Sequence, residues 1–186
     1  MKILFLAPHP FYQERGSPIA NAMILKFLSN RGNEVDVVTY AEGRALNYPQ
    51  ITLYRTPDIP CLRNIRPGFS WKKIVSDIFL FFQAISLIWS KQYDLVHAVE
   101  ESVFIALVFK AIFKIPYVYD MDSSLVEQLI EKYFFLTPFC FILRFFERMA
   151  VKNAKAVMPV CEALAVYIEK YKPKKVVVLS DISLLQ

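Results

Sequence analysis

The sequence predicts an α/β domain: a doubly wound parallel sheet of about seven strands with helices on both faces. Two observations carry this reading. Short apolar or β-branched runs alternate along the whole chain with longer stretches of helical spacing. The first forty residues also read as one complete strand–helix–strand unit, whose crossover is expected to be right-handed.

That unit begins with Ile3-Leu4-Phe5-Leu6-Ala7, an uncharged run suited to a strand buried on both faces. A loop with Glu14-Arg15-Gly16-Ser17-Pro18 follows, and Ser17-Pro18 is a helix start. Ala20, Met23, Ile24, Phe27 and Leu28 recur at helical spacing and are expected to face the core. Asn30-Arg31-Gly32-Asn33 ends the helix, with Gly32 fitted to a left-handed cap, and Val35, Val37 and Val38 resume as a strand.

Residues 41–50 form a polar loop, and Ile51–Arg55 a third strand. Residues 56–70 hold three prolines and one glycine, which makes them a long loop. Arg63, Arg66, Phe69, Trp71, Lys72 and Lys73 interleave there. Such a mixture suits a lipid headgroup layer, or a solvated loop pinned to the core by its aromatics. Residues 71–91 form a long helix and 93–98 a fourth strand. A helix over 102–113 and a strand over 116–120 follow, with Pro116 at the strand start it tolerates. Ser123 is placed to cap a helix over 125–132, and Pro138 to open another over 139–153. That second helix carries Phe141, Phe145 and Phe146 on one side and Arg144, Arg148 and Lys152 elsewhere. Residues 156–160 form a sixth strand, 162–171 a helix and 175–179 a seventh strand.

A length of 186 residues fits one domain with a sizeable core. The apolar share is 55%, above the roughly 45–50% of an average soluble protein. The excess points to a membrane surface or a protein partner. A net charge of +5 favours anionic partners: phosphates, nucleotides or anionic lipid. Nucleic acid is disfavoured, because no basic-aromatic RNA motif or zinc-finger spacing occurs. Cys61, Cys140 and Cys161 form no metal or disulfide pattern, which fits a reducing, cytosolic compartment. The chain opens straight into a strand, with no signal peptide expected. Asp77 and Gln83 interrupt the longest apolar stretch, so no membrane-spanning segment is expected. The chain stops at Gln186 just after its last expected strand, as a fragment or truncated product would.

Only four glycines occur, and neither G-x-G-x-x-G nor G-x-x-x-x-G-K-[ST] is present, which weakens dinucleotide and P-loop readings. The polar residues cluster after the strands, where such sheets bind ligands. Gly16-Ser17 open the first helix, either as an anion site or as an ordinary cap. His97 and Glu100-Glu101 lie at the carboxyl end of the fourth strand. They fit acid–base work and hydroxyl binding, or a backbone-bonded His with carboxylates favoured by a helix dipole. Asp120, Asp122 and Ser123 follow the fifth strand and form the best local constellation, for proton transfer or for capping. Metal binding is disfavoured there, since no further ligand cluster is evident. Cys161-Glu162 open the last helix, with Cys161 an activated thiol or a small residue in a capping slot. His9, between Pro8 and Pro10, reads as a loop residue.

Several stretches together resemble glycosyltransferase family 4. They are Lys2–Leu6, Arg15-Gly16-Ser17-Pro18 and Leu28–Thr39 at the opening, then Tyr93–Ala98, Ile115–Ser124 and Ala154–Leu164. The likeness covers nearly the whole chain. It implies the GT-B fold, two Rossmann-like domains facing a cleft, of which this chain matches the first, acceptor-side one. It further implies transfer of a sugar from a nucleotide-sugar to a hydroxyl acceptor, with anomeric retention, no cofactor and no metal. Gly16 and Ser17 would then lie near the donor phosphates. Asp120, Asp122 and His97 would be the catalytic groups, and Glu100, Ser123, Cys161 and Glu162 would line the acceptor cleft. Two departures stand out: the strand-five loop of the family often supplies a His, absent here, and the family's second glycine before the first helix is Ser17. The donor-binding second domain, with its E-x7-E motif, is expected to lie outside these residues, leaving the chain inactive alone. Family members with basic, aromatic first domains dock on membranes to reach lipid-linked acceptors, so a cytoplasmic location peripheral to the inner face of the cell membrane is expected. A non-catalytic scaffold that holds a membrane or protein partner is the alternative.

Overall fold

A computed structural model describes residues 1–10, 16–45, 47–65 and 70–180, with the side chains of 16, 17 and 134–136 left out. The expected Arg66 and Phe69 of the basic-aromatic loop lie outside the described residues, as does the Glu14-Arg15 part of the first loop.

The elements run β1 (Lys2–Ala7), α1 (Gly16–Asn30), β2 (Glu34–Thr39), β3 (Ile51–Arg55), α2 (Trp71–Ser90), β4 (Leu95–Val99), α3 (Val103–Phe113), β5 (Tyr117–Met121), α4 (Leu125–Lys132), α5 (Cys140–Asn153), β6 (Ala156–Pro159) and α6 (Glu162–Glu169). Short 3₁₀ turns cover Pro60–Leu62, Glu100–Ser102 and Phe134–Phe139. Among the described residues the α/β parallel sheet has six strands, in the order β3-β2-β1-β4-β5-β6. That order reverses between β1 and β4, the kind of switch point where open parallel sheets bind ligands.

The expected seventh strand is reduced to one parallel bridge, Val157 with Val176. Val157 N–H donates to the Lys175 carbonyl, and Val177 and Leu179 donate to Val157 and Pro159. The next rung would need an N–H from residue 159, which is proline, so the ladder cannot extend.

By its contacts the chain divides into two compact units, residues 1–97 and 98–180. In the first, β1 and β2 are buried along nearly their whole length, while β3 is half-exposed at the edge. Leu4 sits in register with Asp36, and Asp36 with Thr52. Asp36 is nonetheless buried, and its Oδ2 accepts from Lys91 Nζ at 2.8 Å and Tyr93 OH at 2.6 Å. Lys91 also donates to Tyr54 OH at 2.7 Å. These bonds to Asp36 and Tyr54 raise the Lys91 pKa, while burial first and Asp36 second push Tyr93 above the usual phenol range.

Helix α1 buries a different face from the one expected. Asn21, Leu25 and Ser29 point inward, and Phe27 is exposed. Small and polar side chains win the inner face because they bond there: Asn21 to His9, and Ser29 to the Pro49 carbonyl at 2.6 Å. Gly32 ends α1 as expected, with φ +71°. Helix α2 starts at Ser70, whose hydroxyl accepts from Lys73 N–H, and turns Ser76, Leu80, Ala84 and Leu87 inward. By length and composition alone α2 is apolar enough to cross a membrane, Asp77 and Gln83 notwithstanding. Asp77 does not break it, because Tyr40 OH donates to its carboxylate at 2.6 Å. A core helix passes the same test, and 22% of the tested window of α2 is buried.

In the second unit, α3 buries Val103, Ala106 and Phe109, and α5 buries Glu147, Ala150 and Val151. Tyr117 OH donates to the Ala150 carbonyl at 2.6 Å, and Lys110 to the Asn153 carbonyl, so β5, α3 and α5 are bonded together. Helix α5 begins at Cys140 rather than 139, since Pro138 lies inside the preceding 3₁₀ turn.

Candidate functional site

In the first unit the carboxyl end of β1 is held by polar contacts. The His9 carbonyl accepts from Thr39 Oγ1 at 2.8 Å, and His9 Nε2 bonds Asn21 Nδ2 at 2.8 Å. The end of β1, the end of β2 and the inner face of α1 are thus fixed to one another. Sequence reading missed Asn21 and Thr39 and treated His9 as a plain loop residue. Gly16 is the first residue of α1, but the Ser17 side chain expected near the donor phosphates lies outside the described residues.

His97 lies inside β4, is only 5% exposed, and stacks flat on Phe5 of β1, with centroids 4.3 Å apart and planes 14° apart. Its ring is therefore fixed in orientation and screened on one face by an apolar partner.

In the second unit, Glu100 and Glu101 form the 3₁₀ turn that leads from β4 into α3. Glu100 is half-buried with φ +49°, a left-handed conformation that costs a non-glycine residue about 1 kcal/mol. The sequence gives no sign of it. Ser102 Oγ donates to the Val99 carbonyl at 2.7 Å and ties this turn to β4.

Asp120 is the penultimate residue of β5, in register with Met158, and is 7% exposed. Asp122 and Ser123 follow and are half-buried. The capping role falls to Ser124, not Ser123. Ser124 Oγ accepts from Glu127 N–H at 3.3 Å, whereas Ser123 Oγ accepts from Gln128 Nε2 at 2.7 Å. The helix starts at Leu125 as expected, and its N-cap is the residue directly before it, Ser124, with Ser123 one position too early. Cys161 occupies the N-cap position of α6 without a side-chain cap bond, and Glu162 sits in the first turn; both are exposed.

A network absent from the sequence reading lies behind these residues. Glu147 of α5 is 2% exposed. Its carboxylate accepts from Ser124 Oγ at 2.7 Å and Tyr171 OH at 2.9 Å. Tyr167 OH lies 3.2 Å from Glu147 and 3.1 Å from Glu127, and donates to one of the two. The signal was present: Glu147 shares a helical stripe with Ala150 and Val151, and Tyr167 and Tyr171 are one turn apart. Fully buried Tyr119 has its pKa raised, chiefly by burial and then by the charges of Glu147, Glu100, Glu101 and Asp122. Glu100, Glu101 and Asp122 thus bring carboxylates near the carboxyl end of β5, with Glu147 buried behind it. Such carboxylates accept hydroxyl donors and stabilise developing positive charge, and they repel phosphate. Among the described residues no group of three or more His, Cys, Asp or Glu is arranged to hold a metal ion.

The family profile of Glycosyltransferase Family 4 matches residues 18–180. No curated protein matches the chain. Among solved structures it resembles sucrose-phosphate synthase from Thermosynechococcus elongatus, with TM-score 0.70 and 15% identity over 96% of this chain and 47% of that one. It also resembles UGT89C1 from Arabidopsis thaliana complexed with UDP-L-rhamnose, with TM-score 0.61 and 11% identity over 100% and 53%. UDP-GlcNAc 2-epimerase from Neisseria meningitidis, bound to UDP-GlcNAc, follows with TM-score 0.53 and 15% identity over 97% and 46%. The chain spans about half the length of these three proteins. An epimerase among them shows that the fold alone does not select the reaction.

Proposed function

Because the chain belongs to glycosyltransferase family 4 and has the fold of one Rossmann-like half of a GT-B enzyme, we propose that it is the acceptor-side half of a retaining glycosyltransferase. In this reading it moves a hexose from a nucleotide-sugar to a hydroxyl acceptor. The observation that carries the acceptor-side assignment is the run of polar groups at the carboxyl end of β5, Asp120, Asp122 and Ser123, with Glu100 and Glu101 in the turn that leaves β4. Acceptor hydroxyls donate to carboxylates, while the diphosphate of a donor is repelled by them. Asp120 and Asp122 are the groups to take the acceptor proton and pass it on toward the leaving phosphate, and His97 of β4 is the third catalytic group. Glu100, Ser123, Cys161 and Glu162 orient the acceptor, and Gly16 with Ser17 meets the donor phosphates from the start of α1.

Structures of UGT89C1 hold UDP-L-rhamnose in one case and quercetin in another. A donor and a hydroxyl-bearing acceptor of that general kind are the partners proposed here. Most of the nucleotide-sugar is held by a second Rossmann-like half, so the chain alone transfers no sugar. In the same reading the protein is cytoplasmic, peripheral to the membrane, and takes a lipid-linked acceptor; its net charge of +5 and its exposed aromatics support the membrane part. Exposed Trp71, Ile78, Phe82 and Trp89 on α2 favour a second reading, a non-catalytic module that holds a partner.

Purified 186-residue chain, given radiolabelled UDP- and GDP-sugars with polyol or lipid-linked acceptors, is expected to move no label into product. A steady transfer rate from the chain alone would overturn the half-enzyme reading. Absence of transfer when the second half is also supplied would favour the non-catalytic module.

A further inference from the structure

Helix α5 exposes an apolar face on the side away from its packed stripe. Phe141, Phe145 and Met149 form one i, i+4 ridge, with Phe146 beside it, and all four are exposed. Phe141 is 68% exposed. The opposite face carries Glu147, Ala150 and Val151 into the second unit. Between the two faces runs a second i, i+4 ridge made of Arg144, Arg148 and Lys152, all exposed. Arg144 makes a loose pair with Glu127 at 3.5 Å, and Arg148 and Lys152 meet no acid among the described residues.

We propose that α5 lies in the plane of an anionic membrane surface, with the Phe141–Met149 ridge in the acyl boundary and the Arg144–Lys152 ridge among the headgroup phosphates. This deepens the membrane part of the reading above and rests on it. Charge complementarity selects the occupant. Three cations along the rim of an apolar face match anionic headgroups, whereas a second copy would bring like charges together. The basic loop singled out in the sequence fits less well. Arg63 is already engaged by both oxygens of Asp58, at 2.9 and 2.6 Å, and Lys72 Nζ bonds the Arg63 carbonyl. The apolar stripe of α2 lacks a basic rim, since residues 78–90 carry no charge.

The test is cosedimentation of the 186-residue chain with vesicles at low salt. One set is pure phosphatidylcholine, and the other carries about one third phosphatidylglycerol. Three variants accompany it: R144Q/R148Q/K152Q, F141S/F145S, and the α2 control F82S/W89S. All of these positions are exposed or half-buried at most, and unfolding curves check that each variant is folded. The chain is expected to bind the anionic vesicles only. Removing the three cations weakens binding on the order of a hundredfold, at about fivefold per charge. Removing the two phenylalanines weakens it about tenfold or more, and the α2 control leaves it unchanged. Loss of binding in the α2 control with wild-type binding in both α5 variants overturns the α5 assignment and leaves membrane docking standing. Failure of the unaltered chain to bind either vesicle overturns docking as well, while the transfer assay judges the enzymatic reading separately. A concentration-dependent dimer that F141S/F145S dissociates, with vesicle binding unchanged, also overturns the assignment.

Discussion

Asp36 in the first unit and Glu147 in the second are both buried carboxylates, and the two are held in different ways. Asp36 of β2 faces a cation, Lys91, and one phenol, Tyr93. Glu147 of α5 is surrounded by hydroxyls: Ser124, Tyr171 and a shared bond from Tyr167. Lys91 keeps a side chain 31% exposed, so water can reach one end of the first cluster. The hydroxyl-bonded Glu147 carboxylate is sealed in the fold. The difference separates two uses of a buried acid. Asp36 ties a strand to the turn before β4, away from the carboxyl edge. Glu147 fixes Ser124, the residue that directly follows Asp120–Ser123.

The comparison predicts that the sealed cluster is the costlier to break. Glu147→Ala strands up to three buried hydroxyls and should lower unfolding stability by roughly 2–4 kcal/mol in urea titrations. Glu147→Gln keeps one acceptor and should lose about half as much. Asp36→Ala should cost less, about 1–2 kcal/mol, because Lys91 can turn to water. Equal losses at both sites would erase the distinction.

Alkaline unfolding sharpens it further. Burial raises the pKa of Tyr117 and Tyr119 in the second unit above the usual 10.0. The folded chain holds these protons longer than the unfolded chain does. Stability is therefore whole below pH about 10, and falls above it as the unfolded state ionises first. The loss is about 1.4 kcal/mol per tyrosine at pH 11. Tyr119→Phe should flatten the decline by one such step, measured as the urea midpoint against pH. Tyr93 and Lys91 add to the same decline from the first unit, since both titrate higher in the folded chain. The smallest effects come from the two adjacent serines. Ser124→Ala removes the α4 cap and should cost about 1 kcal/mol. Ser123→Ala should be near neutral.

The alternation of strands and helices was legible in the sequence, because apolar runs such as Ile3–Ala7 and Val35–Val38 record their own burial. The seventh strand was not, since its loss turns on one missing N–H at Pro159. The inner face of α1 was misread for a different reason. Hydrophobic spacing favours Met23 and Phe27, but Asn21 and Ser29 find bonding partners only after the chain folds. The positions of Glu100, Asp122 and Ser123 just after strands were legible, whereas Asp120 lies one residue inside the end of β5. Glu147 was passed over although it shares a stripe with Ala150 and Val151, because an acid on an arginine-rich helix reads as solvated.

The acceptor-half account is tested most directly by the thermal unfolding midpoint of the chain with UDP- and GDP-sugars. A complete donor site, saturated at 100 times its dissociation constant, would add about 2.7 kcal/mol. For a chain of this size that is a rise of about 5–11 °C. With the acceptor groups on this half and the nucleotide site on the other, the account predicts a rise below about 2 °C. A full rise of 5 °C or more would mean that these residues hold the donor unaided, and would contradict it.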